Sequence, residues 1–212
     1  MKILGLNFSI DAAAALIQDG VVVAASQEER FRRVKHYAGF PSKAIEFCLD
    51  WGGLTLEDLD AVAFFWNPGI VGEAPVSRFA SFPRHQLEFL HNIPTHLISG
   101  FASSGVESME QVINFKSGKR LPIYYVTHHL CHAASAFFTS PFKEAAILTA
   151  DGYGERQSTA IYKGQGTKIE KLLDIDFPHS IGALYAAITQ YLGFNPNGGE
   201  GKVMGLASYG KD

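Results

Sequence analysis

The sequence predicts an α/β fold of mixed sheets and helices in two related halves. Three observations carry this: short apolar runs separated by turn residues at the start, a helix-period segment after them, and a return of the same order of elements after Lys143. The runs "KILGLNF", "AAAALIQ" and "GVVVAASQEE" read as strands. The last two meet at Asp19-Gly20, a dipeptide suited to a tight hairpin because glycine tolerates positive φ, so the opening strands are antiparallel. In "PSKAIEFCLDWGG", Ala44, Phe47, Cys48 and Trp51 recur at helical spacing, with Pro41 placed for a first turn and Gly52 for a stop. "LDAVAFFW" is a buried strand. Residues 68–120, with Pro68, Pro75, Pro83 and Pro94, read as a mostly helical insertion. "LPIYYV" is a further strand, and a helix follows at about 128–138.

From Lys143 the strands "EAAILTADGYGE", "STAIYKGQG" and "KIEKLLDIDF" precede the helix "SIGALYAAITQYLG". Three strands and a helix, twice, indicate duplication at the level of structure. The expected division is 1–143 for a first half and 144–212 for the start of a second, truncated before its remaining strands. An unfinished sheet exposes edges or apolar surface, and a homodimer is an expected consequence.

The chain has 212 residues, 47% of them apolar, enough to bury a core. A formal charge of −3 gives no basic field for a polyanion, which argues against nucleic acid and for small-molecule chemistry. No run approaches the eighteen apolar residues that crossing a bilayer requires. The opening segment reaches Asp11 too soon for a secretory leader. Cys48 and Cys131 stand far apart and outside any paired motif, so a disulfide framework is not expected and a reducing cytoplasm fits.

In "THHLCHAASAF", His128 and His132 lie at i and i+4, on one helix face about 6 Å apart, which suits two imidazoles on one cation. The pattern equally describes polar residues at a helix end. Asp151 ends the next strand, in "TADGYGE", with Gly152 and Gly154 letting the backbone approach a phosphate. His129 points about 100° away and reads as structural. "GFNPNGGEGKVMG" fails as an ATPase phosphate loop, because Pro196 and Val203 occupy positions that need Gly and Ser or Thr. It reads as a flexible loop whose Lys202 is either an anion contact or solvated. The run "EERFRRVKH", with Arg30, Arg32, Arg33, Lys35 and His36, is a solvated face or an anion clamp. Asp11 reads as a capping residue.

Taken together, "ILGLN", "DAAAALIQDG", "EERFRRVKH", "HHLCHAASAF", "TADGYGE" and "GGEGKVMGLASYG" resemble the N-terminal part of the O-carbamoyltransferases that modify nodulation factors and antibiotics. The resemblance implies an actin/sugar-kinase-like fold of ribonuclease-H-type halves, with a YrdC-like domain downstream. It implies ATP and carbamoyl phosphate as co-substrates, joined as carbamoyl-adenylate, and a small-molecule hydroxyl as acceptor. His128, His132 and Asp151 match the family's metal ligands, holding a divalent metal, iron. Lys35 and His36 match its basic stretch, and Glu200, Gly201 and Lys202 its Gly-rich loop. Ile10 stands where the family has a histidine suited to general-base work, which leaves Asp11 as the expected base. A kinase or nucleotide hydrolase on the same fold, and a non-catalytic sugar- or nucleotide-binding regulator, are the alternatives.

Overall fold

Asp19 and Gly20 both take positive φ, 49° and 85°, the backbone a two-residue hairpin needs to follow the strand twist. The turn joins β2 (Ala13–Gln18) to β3 (Val21–Gln27), and β2 also pairs antiparallel with β1 (Lys2–Asn7). The computed structural model describes residues 1–9, 11–67, 108–196 and 198–211. They form two compact units, Met1–Thr127 and His128–Asp212.

In the first unit, β4 (Ala61–Phe64) runs parallel to β1, and β6 (Arg120–Val126) parallel to β4. The sheet order is β3-β2-β1-β4-β6-β5, an antiparallel meander continued by parallel strands, as in a ribonuclease-H-type half. β5 (Ser108–Asn114) pairs antiparallel with β6. It lies inside the stretch expected to be a helical insertion, and "SMEQVIN" is a strand because β6 offers it a ladder along its whole length. Residues 68–107 of that expected insertion lie outside the described residues.

Helix α2 (Ser42–Gly52) follows a one-turn helix α1 (Glu29–Arg32). Its Ala44, Ile45, Cys48 and Leu49 pack on Leu4, Ala14 and Leu16, the alternate positions of β1 and β2 that face them. Gly52 is not the stop. A Cβ there would stand 2.5 Å from Leu16 Cδ2, so it is glycine for close packing on the sheet. The stop is Gly53, in the left-handed conformation at φ 64°.

Pro41 caps α2 without a side-chain bond, and the cap comes from Glu28 instead. The fully buried Glu28 carboxylate accepts from the N–H groups of Ala44 (2.8 Å) and Lys43 (3.3 Å) and from Arg32 Nε (2.6 Å). Arg32 in turn donates to Ser42 Oγ at 2.9 Å and lies over the Tyr37 ring. The charge run is therefore in part a structural brace.

The second unit holds β7 (Glu144–Ala150), β8 (Gln157–Gln165) and β9 (Lys168–Asp176) as an antiparallel sheet. Helix α3 (His128–Phe138) packs Ala133 and Phe137 on Ile147, Ala160 and Tyr162 of that sheet. For this reason the unit boundary falls at Thr127/His128, not at Lys143. Helix α4 (Ile181–Tyr191) leaves Ile181, Leu184 and Tyr191 exposed. Helix α5 (Glu200–Ala207) replaces the later part of the expected flexible loop, since "EGKVMGLA" closes helical hydrogen bonds from Lys202 and Val203 back to Gly199.

Burial alone would raise the Glu28 carboxyl, but its bonds to Ala44, Arg32 and Lys43 outweigh that and hold it below the usual glutamate range. Its contribution to stability is thus complete above about pH 4.3, and is lost as pH falls from there through the lower folded value. Glu28→Ala should cost about 2–3 kcal/mol in urea unfolding at neutral pH, and the difference from wild type should shrink as the pH is taken below that of an ordinary glutamate.

Candidate metal centre and a second polar cluster

β7 ends at Ala150, and Asp151 turns out of the sheet with its N–H still bonded to Ser158 O at 2.9 Å. Its Oδ1 accepts the Gly152 N–H at 2.6 Å, which aims Oδ2 at helix α3. There Oδ2 lies 2.7 Å from His128 Nε2 and 3.1 Å from His132 Nε2, and the two Nε2 atoms are 3.0 Å apart. These three make up a group of side chains able to hold a metal ion. The three atoms lie close enough together to take one cation, and two imidazoles with one carboxylate are a ligand set that would suit a divalent transition metal.

The imidazoles of His128 and His132 hold the Asp151 carboxyl far below the usual carboxylate range, outweighing its partial burial. It is therefore the anion a metal requires. His128 is 14% exposed and His132 49%, so the cluster opens to solvent on the His132 side.

The supports come from residues around the triad. Glu155 accepts the His128 N–H at 3.1 Å and caps the start of α3. His129 is fully buried. Burial lowers its pKa and keeps it neutral, with Nε2–H donating to Gln157 O (3.0 Å) and Nδ1 accepting from Thr149 Oγ1 (2.8 Å). Ser180 caps α4, accepting the Ala183 N–H at 3.0 Å while its hydroxyl is directed at the carbonyls of Asp151 (2.9 Å) and Gly152 (2.6 Å). Gly182 lets that helix start against Asp151, because a Cβ there would meet the Asp151 carbonyl at 2.6 Å. Sequence reasoning missed Glu155, Thr149 and Gly182. The signal for Gly182 was present as a glycine inside an otherwise strong helix, a position that asks for a packing reason.

The two glycines of "DGYGE" have different roles. Gly152 has open space where a Cβ would stand and supplies the N–H to Asp151. At Gly154 a Cβ would be 3.0 Å from His129 Cδ2 and 3.1 Å from His128 Cβ, so this glycine makes room for the histidines. Glu200, Gly201 and Lys202 form the first turn of α5. Glu200 Oε2 accepts the Gly198 N–H at 2.8 Å, its carbonyl accepts Tyr185 OH at 2.9 Å, and Lys202 is exposed. Burial, aided by Glu155, pushes the Cys131 thiol up to about 12, which removes it as a nucleophile.

The first unit holds a separate cluster. Asp11 Oδ1 lies 2.9 Å from His36 Nδ1, and Lys35 Nζ is 3.0 Å from Glu29 Oε1. Asp11 and His36 both take left-handed φ, 60° and 52°, a conformation that costs a non-glycine residue about 1–3 kcal/mol and that surrounding structure must enforce. Three bonds do so: Asn7 Nδ2 to Asp11 O (3.1 Å), Ala12 N–H to Tyr37 O (2.9 Å), and His36 N–H to Glu29 Oε2 (3.0 Å). Asp11 follows the carboxyl end of β1, whose parallel neighbour β4 ends beside it: Phe8 stacks on Phe64 at 4.3 Å. Asp11 is thus no simple cap. Glu29, Arg30, Arg33 and Lys35 line an open cleft of about 300 Å³. Ile10 lies outside the described residues.

The chain belongs to the carbamoyltransferase N-terminus family, whose model matches residues 2–212. It is 36% identical over 204 residues to nodulation protein NolNO of Sinorhizobium fredii, covering 96% of this chain and 28% of that protein. It is 42% identical over 213 residues to the uncharacterized protein sll1178 of Synechocystis sp., covering 99% of this chain and 35% of that one. The chain therefore spans about a third of the length of these relatives. Among solved structures it is similar to the activator of the 2-hydroxyisocaproyl-CoA dehydratase from Clostridium difficile with bound ADPNP, at 13% identity and a TM-score of 0.41, over 91% of this chain and 52% of that one. Among the described residues no helix is long and apolar enough to cross a membrane.

The contrast between the two glycines is testable. Gly154→Ala should destabilise the protein by about 1–2 kcal/mol in thermal melting, through overpacking on His128 and His129. Gly152→Ala should leave the melting temperature nearly unchanged.

Proposed function

We propose that this chain is the metal-bearing N-terminal part of an ATP-dependent O-carbamoyltransferase. The protein would pass a carbamoyl group from carbamoyl-adenylate to a hydroxyl of a sugar-containing small molecule in the cytoplasm. The observation that carries this is the convergence of His128 Nε2, His132 Nε2 and Asp151 Oδ2 in a chain of this family. Two imidazoles and a carboxylate would suit a divalent transition metal such as iron(II). A magnesium-dependent kinase site would instead be built from oxygen ligands.

When bound, the metal supplies a Lewis acid for the oxygen on which charge grows during carbamoyl transfer. The chain's own residues do the rest. Asp151 holds its anionic form beside His128 and His132 and its orientation through Gly152 N–H, while Ser180 fixes the backbone that carries it. Glu155 anchors the start of α3, so that His128 and His132 present Nε2 from one face. Adenylate formation belongs in this reading to a YrdC-like domain downstream, with ATP and carbamoyl phosphate as its substrates.

The test is metal content and turnover of the complete protein purified without oxygen. Wild type should carry about one iron per chain and release pyrophosphate from ATP with carbamoyl phosphate. His132→Ala and Asp151→Asn should each weaken metal binding more than about 100-fold, beyond the effect of losing an outer partner. A metal-free wild type whose ATP-dependent carbamoyl transfer ignores chelators would overturn the reading.

A further inference from the structure

We infer that the first unit carries a carbohydrate-binding platform, on which Phe8 and Phe40 pack against the C–H face of a neutral pyranose while Asp11 accepts its hydroxyls. The chain after β1 meets the chain before α2 in three places. The rings of Phe8 and Phe40 lie 6.2 Å apart, Ala12 N–H donates to Tyr37 O at 2.9 Å, and Asp11 Oδ1 stands 2.9 Å from His36 Nδ1. An apolar pair and a polar pair are thereby set side by side along one rim. The site is contained in the first unit and involves no step at the metal triad.

Phe8 and Phe40 are 44% and 59% exposed, yet Phe8 is held in place. One of its faces stacks on Phe64, at 4.3 Å and 18°, and Phe64 meets Phe65 and Tyr125 edge-on. These rings gather at the carboxyl ends of three parallel strands: Phe8 follows β1, Phe64 ends β4, and Tyr125 is the last residue but one of β6. Ligands of α/β sheets bind at such ends.

The chemistry of the rim selects the ligand class. Aromatic faces carry negative charge and attract the slightly positive C–H groups of a sugar ring. Asp11 has Oδ1 taken by His36 and its carbonyl held by Asn7 Nδ2, while among the described residues nothing bonds Oδ2, which is left to accept one or two hydroxyls. The same carboxylate repels an anion. Arg30, Arg33 and Lys35 precede the segment that carries Phe40, and their charge disfavours a cation on the rings. A neutral ring with one C–H face and adjacent hydroxyls satisfies both halves of the rim.

The test is saturation-transfer NMR on the complete protein with the methyl β-D-pyranosides of glucose, galactose, mannose and xylose, in the absence of ATP. At least one of the four should receive saturation at its ring protons. Phe40→Leu, which keeps bulk and loses the ring, and Asp11→Gly, which keeps the left-handed backbone and loses the carboxylate, should each raise its Kd at least about 10-fold. Phe40→Tyr should bind within about 2-fold of wild type, and the melting temperature of Phe40→Leu should be unchanged. Silence from all four glycosides with wild type would overturn the proposal, as would wild-type affinity in either Phe40→Leu or Asp11→Gly. Saturation of tetramethylammonium where the glycosides show none would give the rim to a cation instead. Pyrophosphate release tests the carbamoyltransferase reading separately, so the two can fail independently.

Discussion

The triad of the second unit depends on how one carboxylate is held. Asp151 leaves the sheet at the end of β7 with its backbone bonded to β8, its Oδ1 taken by Gly152 and its carbonyl under the Ser180 hydroxyl. Only Oδ2 remains, and it points at two imidazoles of α3. The Gly152 N–H restrains the carboxylate rotamer, while the two backbone bonds fix the Cα that carries it. Packing enforces the same result from both sides, because Gly154 admits the histidines and Gly182 admits the start of α4.

The two units repeat one device. In each, a first strand ends in a turn carrying an aspartate, and an antiparallel strand follows: Asp11 after β1, Asp151 after β7. In each, the aspartate meets imidazole. The difference lies in where the imidazole comes from. His36 arrives on the segment between β3 and α2, one ring on one carboxylate, while α3 presents two rings at once.

The charge run after β3 braces the structure around it. Arg32 is committed to the buried Glu28, which caps α2 in place of a local residue. Lys35 is committed to Glu29, and Glu29 to the backbone of His36. Such bonding ties the run to α2 through Glu28 and to the His36 backbone through Glu29. It also explains why a run of basic residues reads ambiguously: its members differ in role according to which carboxylate lies within reach.

Much of the fold was legible in local order. Short runs bounded by turn residues marked β2 and β8, Asp19-Gly20 marked the hairpin, Ala44, Cys48 and their neighbours marked α2, and the i, i+4 spacing put His128 and His132 on one face, because each of these signals is complete within a few residues. Tertiary structure decided what spans longer separations. β5 is a strand only because β6 pairs with it, and α3 belongs with the second sheet because Phe137 fills a gap that Gly164 leaves there. Glu28 caps a helix sixteen residues on, Asp11 meets His36 across twenty-five, and Asp151 meets His128 across twenty-three. Residue type announces that such groups want partners, but which partner each obtains is set by the packing of sheet and helix around it.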